Sequence, residues 1–264
     1  MWIDTHCHLD ASEFAGEGCR IASSAAQLGV DVIVIPAVER AHFTRVSSLA
    51  AQSNSAYSLG IHPMYVPHAD ESDLHILRDL IPSALSDPRF VAIGEIGLDF
   101  FVPELNESPM RGKQEHFFTE QLKIARDFNL PVLLHVRRSQ DTILKYLRRI
   151  RVSGGIAHAF NGSHQQAQAF IGLGFKLGFG GAMTFTRASQ IRRLASELSQ
   201  DALVLETDAP DISPAWLHPK SNSPEQLPLI GEVLAQLRGV PVMEIAHITS
   251  QNARVALPRL VAFS

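Results

Sequence analysis

The residues with the clearest capacity for chemistry are two histidines near the start of the chain, in the segment W-I-D-T-H-C-H of Trp2–His8. Its apolar opening predicts a buried first strand. Because side chains alternate along a strand, His6 and His8 face one side and Cys7 faces the other. Two imidazoles on one face can bind one cation. A lone His-x-His pair is a weak signal, so its meaning depends on where other acids and histidines fall.

Four more ionisable residues follow short apolar runs in the same way; they are Glu95, His135, His158 and Asp208. Taken singly, each has a structural explanation, as a hydrogen-bonded histidine at a strand end or as a carboxylate that caps a helix or pairs with an arginine. Taken together, burying so many ionisable groups is costly unless a cation compensates them. With the two N-terminal histidines they predict a six-residue metal site.

Six ligands and one carboxylate able to bridge predict two divalent ions about 3.5–4 Å apart. We expect the two N-terminal histidines and Asp208 at one ion, His135 and His158 at the other, and Glu95 between them. This mixed ligand set suits Zn, Mn or Co, with Mg an option at an oxygen-rich half. Asp208 and Glu95 are the predicted catalytic residues, with Asp208 as general base for a water held between the ions.

Eight apolar runs rich in Val, Ile and Leu predict strands. Most do not alternate with polar residues, as expected when both faces of a sheet are covered. The predicted strands are Trp2–His6, Val32–Ala37, Ala56–Ile61, Phe90–Glu95, Pro131–His135, Gly155–His158, Phe175–Gly180 and Ala202–Glu206. Helical spacing predicts helices over Gln114–Phe128, Asp141–Ile150, Ser163–Leu173, Ala188–Leu198, Pro224–Leu237 and Val242–Leu257.

Strands that alternate with helices pair in parallel through βαβ units, and eight units predict an α/β fold, a (β/α)8 TIM barrel. We expect residues 1–264 to form a single domain. An open, doubly wound sheet is the alternative, but no glycine-rich phosphate motif follows the first predicted strand. Barrel enzymes build their active sites at the carboxyl ends of the strands, where all six predicted ligands fall.

Composition narrows the function classes. The 264 residues are 45% hydrophobic and 19% charged, which is ordinary for a soluble globular protein. The net charge of −4 disfavours a broad, nonspecific grip on duplex nucleic acid. No apolar run approaches the ~18 residues of a membrane span, and no secretory signal is evident. Only Cys7 and Cys19 are present, too few for a disulfide framework, so we expect a cytoplasmic protein. We expect no membrane association, and the sequence indicates no obligate protein partner.

Four further residues are predicted to support the site. His62 lies just past the third strand and Arg137 two residues after His135, so both are candidates for substrate binding. His62 could equally be a packing residue, and Arg137 could pair with Asp141. Glu206 and Asp99 are predicted to orient a metal ligand or a loop.

Six segments together resemble the TatD-type metal-dependent hydrolases of the amidohydrolase superfamily. They are Asp4–Asp10, Gly60–Pro63, Ala92–Asp99, Pro131–His135, His158–Gly162 and Leu205–Pro210. The resemblance covers essentially the whole chain. The stretches Gly155–Ser163 and Leu203–Ile212 are most similar to the YjjV-type branch of that family.

The resemblance implies a TIM barrel, a two-metal site on the same six residues, and hydrolysis of phosphodiester bonds in DNA, often by 3′-to-5′ exonuclease action on single strands. Two departures from the family pattern stand outside the predicted ligands. Lys220 precedes Asn222 by two residues, where the family usually has a basic residue directly before its N-[ESR]-P segment. The stretch Asn252–Pro258 lacks the family's Phe. Neither departure touches the metal ligands, and the first concerns substrate contacts.

The sequence leaves three functions open. The first is a metal-dependent deoxyribonuclease acting on DNA, as single strands or 3′ ends. The second is a hydrolase of the same architecture that acts on a small-molecule phosphoester, lactone, amide or aminoacyl ester, because function in barrels depends on the loops. The third, a metal-binding protein without activity, is disfavoured by the complete ligand set.

Overall fold

A parallel sheet of eight strands, hydrogen-bonded in chain order, forms the centre of the fold. The computed structural model describes residues 1–263. The strands are β1 Trp2–Asp4, β2 Val30–Pro36, β3 Ala56–Leu59, β4 Phe90–Asp99, β5 Val132–Arg137, β6 Gly155–Ala157, β7 Phe175–Phe179 and β8 Leu203–Leu205. All seven neighbouring pairs are parallel.

Helices surround the sheet. They are α1 Gly18–Gln27, α2 Phe43–Ser53, α3 Glu71–Ala84, α4 Pro103–Asn106, α5 Met110–Asp127, α6 Gln140–Arg149, α7 His164–Gly172, α8 Ser189–Glu197, α9 Leu227–Arg238 and α10 Val242–Ala256. Ser163 caps α7, since its hydroxyl accepts a hydrogen bond from the Gln166 N–H. None of the helices in residues 1–263 has the length and apolar character needed to cross a bilayer.

The first and last strands are joined at their carboxyl ends. The Thr5 N–H donates to the Leu205 carbonyl at 3.1 Å, and the His8 N–H donates to the Ala209 carbonyl at 2.8 Å. Cys7 and Ala209 form an isolated parallel bridge. These contacts close the sheet on itself and confirm the (β/α)8 barrel, while the alternative of an open, doubly wound sheet is wrong.

Two apolar clusters hold the barrel. The smaller one contains every second residue of several strands, such as Val32 and Val34 of β2, together with Leu257 and Leu260 near the end of the chain. The larger one lies between the strands and the helices and includes Cys7. Cys7 therefore packs away from its neighbouring histidines, as the alternation of side chains predicted.

The eight strands fall where they were predicted, with ends that differ by up to four residues, and the differences in β4 and β1 bear on the predicted ligands. β4 runs to Asp99, four residues past the predicted end at Glu95, because its second half pairs with β5 from Gly97↔His135 to Asp99↔Arg137. β1 ends at Asp4, so the His-x-His pair lies just beyond the strand rather than within it.

Gly155 allows β5 and β6 to approach closely. It has φ +146°, and a Cβ at this position would collide with the Val132 carbonyl oxygen. We expect Gly155→Ala to lower the free energy of unfolding by about 2–5 kcal/mol through strain and overpacking. Chemical denaturation of the chelated protein, followed by circular dichroism, measures the change.

Gly112→Ala is the matched control. Gly112 lies in α5, and a Cβ there would meet no atom within 4 Å. Because alanine favours the helix over glycine, this variant should be more stable by up to about 1 kcal/mol. Equal destabilisation of both variants would contradict the close approach of β5 and β6.

Candidate metal centre

The six predicted ligands lie together at one end of the barrel. They are His6 and His8 after β1, Glu95 in β4, His135 in β5, His158 after β6 and Asp208 after β8. Four of them are buried, and His8 and His135 are half-buried. Barrel closure thus brings together residues that are up to two hundred positions apart in the chain.

The Glu95 carboxylate is the centre of this group. Its Oε2 atom lies 3.0 Å from Nε2 of His6 and 3.5 Å from Nε2 of His8. Its Oε1 atom lies 2.8 Å from Nε2 of His158 and 3.0 Å from Nδ1 of His135. Each oxygen faces at least two histidines, an arrangement that suits a carboxylate shared by two cations.

Asp208 completes the half of the site next to β1. Its Oδ1 atom lies 3.7 Å from Nε2 of both His6 and His8. The Asp208 N–H donates to the His6 carbonyl at 2.8 Å, and the residue has φ +56°, a left-handed conformation that is uncommon outside glycine. The ligand atoms of these three residues lie within 4.8 Å of one another, as the predicted assignment to one ion requires.

The other half of the site contains a histidine predicted for a different role. His62 Nε2 lies 3.3 Å from Glu95 Oε1 and 3.0 Å from His135 Nδ1, and these three residues form a second group of potential ligands. His158 instead groups with His6 and Glu95. The sequence predicted His62 as a substrate contact at this end of the barrel, because it lies just past β3. The structure adds its ring nitrogen to the donor set.

Burial and the charges of neighbouring side chains shift the pKa values of the group. Burial would raise the pKa of Glu95, but His62, His158 and His6 hold it well below its usual range. Burial opposes protonation of His158, yet Glu95 and Asp208 raise its pKa to about 10. Burial lowers the pKa of His6 to about 3. His6 is therefore neutral, whereas His158 holds a proton that a divalent ion would replace, since a metal binds the neutral imidazole. Carboxylates and imidazoles are the donors that Zn, Mn and Co bind, so these residues fit divalent metal ions.

A buried hydrogen-bond network holds β1 and β8 in register beside the site. The Thr207 N–H donates to Asp4 Oδ1 at 2.9 Å, and the Thr207 hydroxyl donates to Asp4 Oδ2 at 2.6 Å. The His6 N–H donates to Asp4 Oδ1 at 3.3 Å. Burial raises the pKa of Asp4 to about 7. Sequence reasoning gave Asp4 no role of its own, although it stands two residues before His6 in a predicted buried strand.

Glu206 and Asp99 each contact a histidine of the site from behind. Glu206 Oε1 accepts a hydrogen bond from the Ala159 N–H and lies 3.7 Å from His158 Nδ1. Asp99 Oδ2 lies 3.1 Å from His135 Nε2. Metal-binding histidines usually donate their second ring N–H to a carboxylate or carbonyl, which fixes the ring. Asp99 occupies the position that this role requires, whereas Glu206 lies behind His158 but beyond hydrogen-bond distance of its ring.

A cleft of about 1400 Å³ opens above the group and exposes part of it to solvent. Arg137 lines this cleft and lies 3.7 Å from Asp99 Oδ2, whereas its other predicted partner, Asp141, accepts a hydrogen bond from Gln166. The Arg137 guanidinium also lies over the Phe101 ring. Arg137 therefore stands at the rim of the cleft, where the sequence predicted a substrate contact.

A parallel barrel with clustered imidazoles and carboxylates at one end defines a class of metal-dependent hydrolases. The family model described as "TatD related DNase" matches residues 3–258. The chain belongs to this TatD family and is a metal-dependent hydrolase, as the sequence motifs predicted.

Individual relatives agree with this assignment. The uncharacterised metal-dependent hydrolase YjjV of Escherichia coli is 40% identical over 255 residues, covering 95% of each chain. The crystal structure of the E. coli YjjV protein superposes with a TM-score of 0.90 at 38% identity, over 97% of this chain and 98% of that one. A human protein named deoxyribonuclease TATDN3 is 27% identical over 98% of this chain and 95% of its own length.

The contact between Asp4 and Thr207 can be tested without changing any predicted ligand. Thr207→Val removes the hydroxyl that donates to Asp4 Oδ2 and leaves a buried carboxylate short of one donor. We expect a loss of about 1–3 kcal/mol in the free energy of unfolding of the chelated protein. We also expect weaker metal retention, because Asp208 is the next residue; dialysis followed by elemental analysis measures it.

Thr119→Val is the control, since its hydroxyl donates to the Glu115 carbonyl within α5, on the outer layer. It should change stability by less than about 0.5 kcal/mol and leave the metal content unchanged. Full metal retention by Thr207→Val would show that Asp208 is positioned independently of Asp4.

Proposed function

We propose that this protein is a divalent-metal-dependent phosphodiesterase that hydrolyses single-stranded DNA, using two metal ions held by His6, His8, Glu95, His135, His158 and Asp208. The observation that carries the proposal is the position of Glu95, whose Oε2 faces His6 and His8 while its Oε1 faces His62, His135 and His158. One carboxylate shared by two sets of ligands is the hallmark of two-metal hydrolytic sites.

The residues divide the chemistry among them. Bound divalent ions lower the pKa of a water molecule and stabilise negative charge on a phosphoryl oxygen. Glu95 holds the two halves of the site at a fixed separation. Asp208, at the open side of the group, accepts the proton of the attacking water as general base. Asp99 and Glu206 keep the rings of His135 and His158 in place.

Three features support a nucleic-acid substrate. The cleft volume of about 1400 Å³ exceeds the ~300–1,000 Å³ of pockets for small ligands, so it has room for more than one nucleotide. Arg137 at the rim offers a guanidinium to a phosphate. A human relative carries the name deoxyribonuclease. The second candidate, a small-molecule phosphoester, lactone, amide or aminoacyl ester, would use the same metal centre and leave most of this cleft empty.

The central test is Asp208→Asn, which keeps the size of the side chain but removes the proposed base and a charged ligand. We expect the release of nucleotides from a single-stranded oligonucleotide to fall by at least ~100-fold, in line with general-base catalysis. Circular dichroism should show an intact fold. The rate is measured with the metal-loaded protein by gel analysis of an end-labelled strand.

Asp211→Asn is the matched control, because Asp211 is exposed and lines the cleft but belongs to none of the three ligand groups. It should hydrolyse the strand at nearly the normal rate. Near-normal turnover by Asp208→Asn with metal bound would remove Asp208 from the mechanism. Turnover of amides or lactones alone, with no oligonucleotide cleaved, would support the second candidate.

Metal removal tests the two-ion site directly. Chelation should abolish hydrolysis, and Zn, Mn, Co or Mg should restore it to different extents. Elemental analysis of the reconstituted protein is expected to give two ions per chain. His135→Ala should lower this number towards one, since it breaks the group of His62, Glu95 and His135 and leaves the group of His6, His8 and Asp208 complete. A single ion in the unaltered protein at saturating metal would contradict the bridging role of Glu95.

A further inference from the structure

We propose that Phe101, Arg137 and Arg138 form a binding site for a nucleobase at the rim of the cleft, and we call these three residues the rim platform. The inference rests on the proposed function and extends it, because it assigns the substrate's base, and not only its phosphate, to a defined place. The site lies where the loops after β4 and β5 meet.

The rim platform consists of one aromatic ring with two guanidinium groups close to it. The Arg137 guanidinium carbon lies 3.8 Å from the centroid of the Phe101 ring, and that of Arg138 lies 4.6 Å from it. All three residues line the cleft, and Phe101 is 44% exposed although it is large and apolar. Nucleobases stack on aromatic rings and on guanidinium planes, and the two positive charges suit the nearby phosphates.

The backbone holds this stack in place. The Phe101 and Val102 N–H groups donate to Asp99 Oδ1 at 2.8 and 3.1 Å, which fixes the turn after β4. Arg138 has φ +55°, a conformation that a non-glycine residue adopts at a cost. Arg138 also makes no ion pair within residues 1–263. The left-handed backbone of Arg138 and its lack of an ion pair have little structural purpose. A bound ligand accounts for both features.

The rim platform is linked to the metal centre through two side chains. Arg137 lies 3.7 Å from Asp99 Oδ2, and the same oxygen lies 3.1 Å from His135 Nε2. His135 Nδ1 in turn lies 3.0 Å from Glu95 Oε1. A strand whose phosphate lies at the proposed metal centre can therefore place a neighbouring base on Phe101. A small phosphoester without a planar group would leave the platform unused.

The test compares two oligonucleotides of equal length and charge, one of deoxythymidine and one with the same phosphodiester backbone but abasic throughout. Binding to the chelated protein is measured by fluorescence anisotropy, so the result does not depend on turnover. We expect the unaltered protein to bind the base-containing strand at least ~5-fold more tightly, and Phe101→Leu to remove this preference. The abasic strand should bind equally well to both proteins.

Two further variants sharpen the comparison. Arg138→Gly removes the guanidinium while favouring the left-handed backbone, so the fold is retained, and it should weaken binding of the base-containing strand. Phe185→Ala is the matched control, because Phe185 also stacks with an arginine, Arg187, but does not line the cleft. It should leave the preference for bases unchanged.

The outcomes separate the inference from the proposed function. Hydrolysis of DNA by the metal-loaded protein, combined with equal binding of the two strands, overturns the rim platform and leaves the nuclease proposal standing. A preference for bases that survives Phe101→Leu also overturns it. If the protein neither binds nor hydrolyses any oligonucleotide, both the rim platform and the proposed function are overturned. Loss of the preference in Phe101→Leu alone, with Phe185→Ala unaffected, supports the platform.

Discussion

The structure depends on one buried carboxylate, that of Glu95. More imidazole nitrogens lie close to it than it can accept hydrogen bonds from. Glu95 is 1% exposed and has five histidines within 3.5 Å of its oxygens. Removing so many ionisable groups from water is costly. In the proposed function, cations between the carboxylate and the imidazoles offset this cost, and Asp99 and Glu206 hold the rings from behind.

Closure of the barrel makes this arrangement possible. The two halves of the Asp4–Thr207 contact are 203 positions apart, and Asp208 reaches the site only when β8 lies beside β1. The metal centre thus exists only in the completed fold. A ligand that binds only the folded state stabilises it, so bound metal should add to the stability of the very closure that creates its site. The left-handed backbone at Asp208 is a strain that this coupling can offset.

Much of the site could be predicted because the strands of a parallel barrel all end on the same side. A pattern along the sequence therefore determines which residues lie together. An ionisable residue after a buried apolar run, as with His135 or His158, must emerge at the common end of the strands. What could not be predicted depends on contacts between distant segments. The extension of β4 to Asp99 arises from its pairing with β5. The place of His62 beside Glu95, and the Asp4–Thr207 contact, follow from packing that no local pattern encodes.

In the proposed function, chemistry and recognition are divided between different parts of the fold. The proposed metal ligands stand on or shortly after strands, where backbone pairing fixes them, whereas Phe101 and Arg138 lie in loops, where sequence can vary without disturbing the barrel. Asp99 joins the two regions, since its Oδ2 contacts His135 and its Oδ1 fixes the turn that carries Phe101.

A ring at the rim can accept a base only if that base is unstacked, which holds for single strands and frayed ends but not for the interior of a duplex. The proposed rim platform therefore suits a flexible single strand better than a long duplex. The net charge of −4 acts in the same direction, because it disfavours a broad grip on duplex nucleic acid.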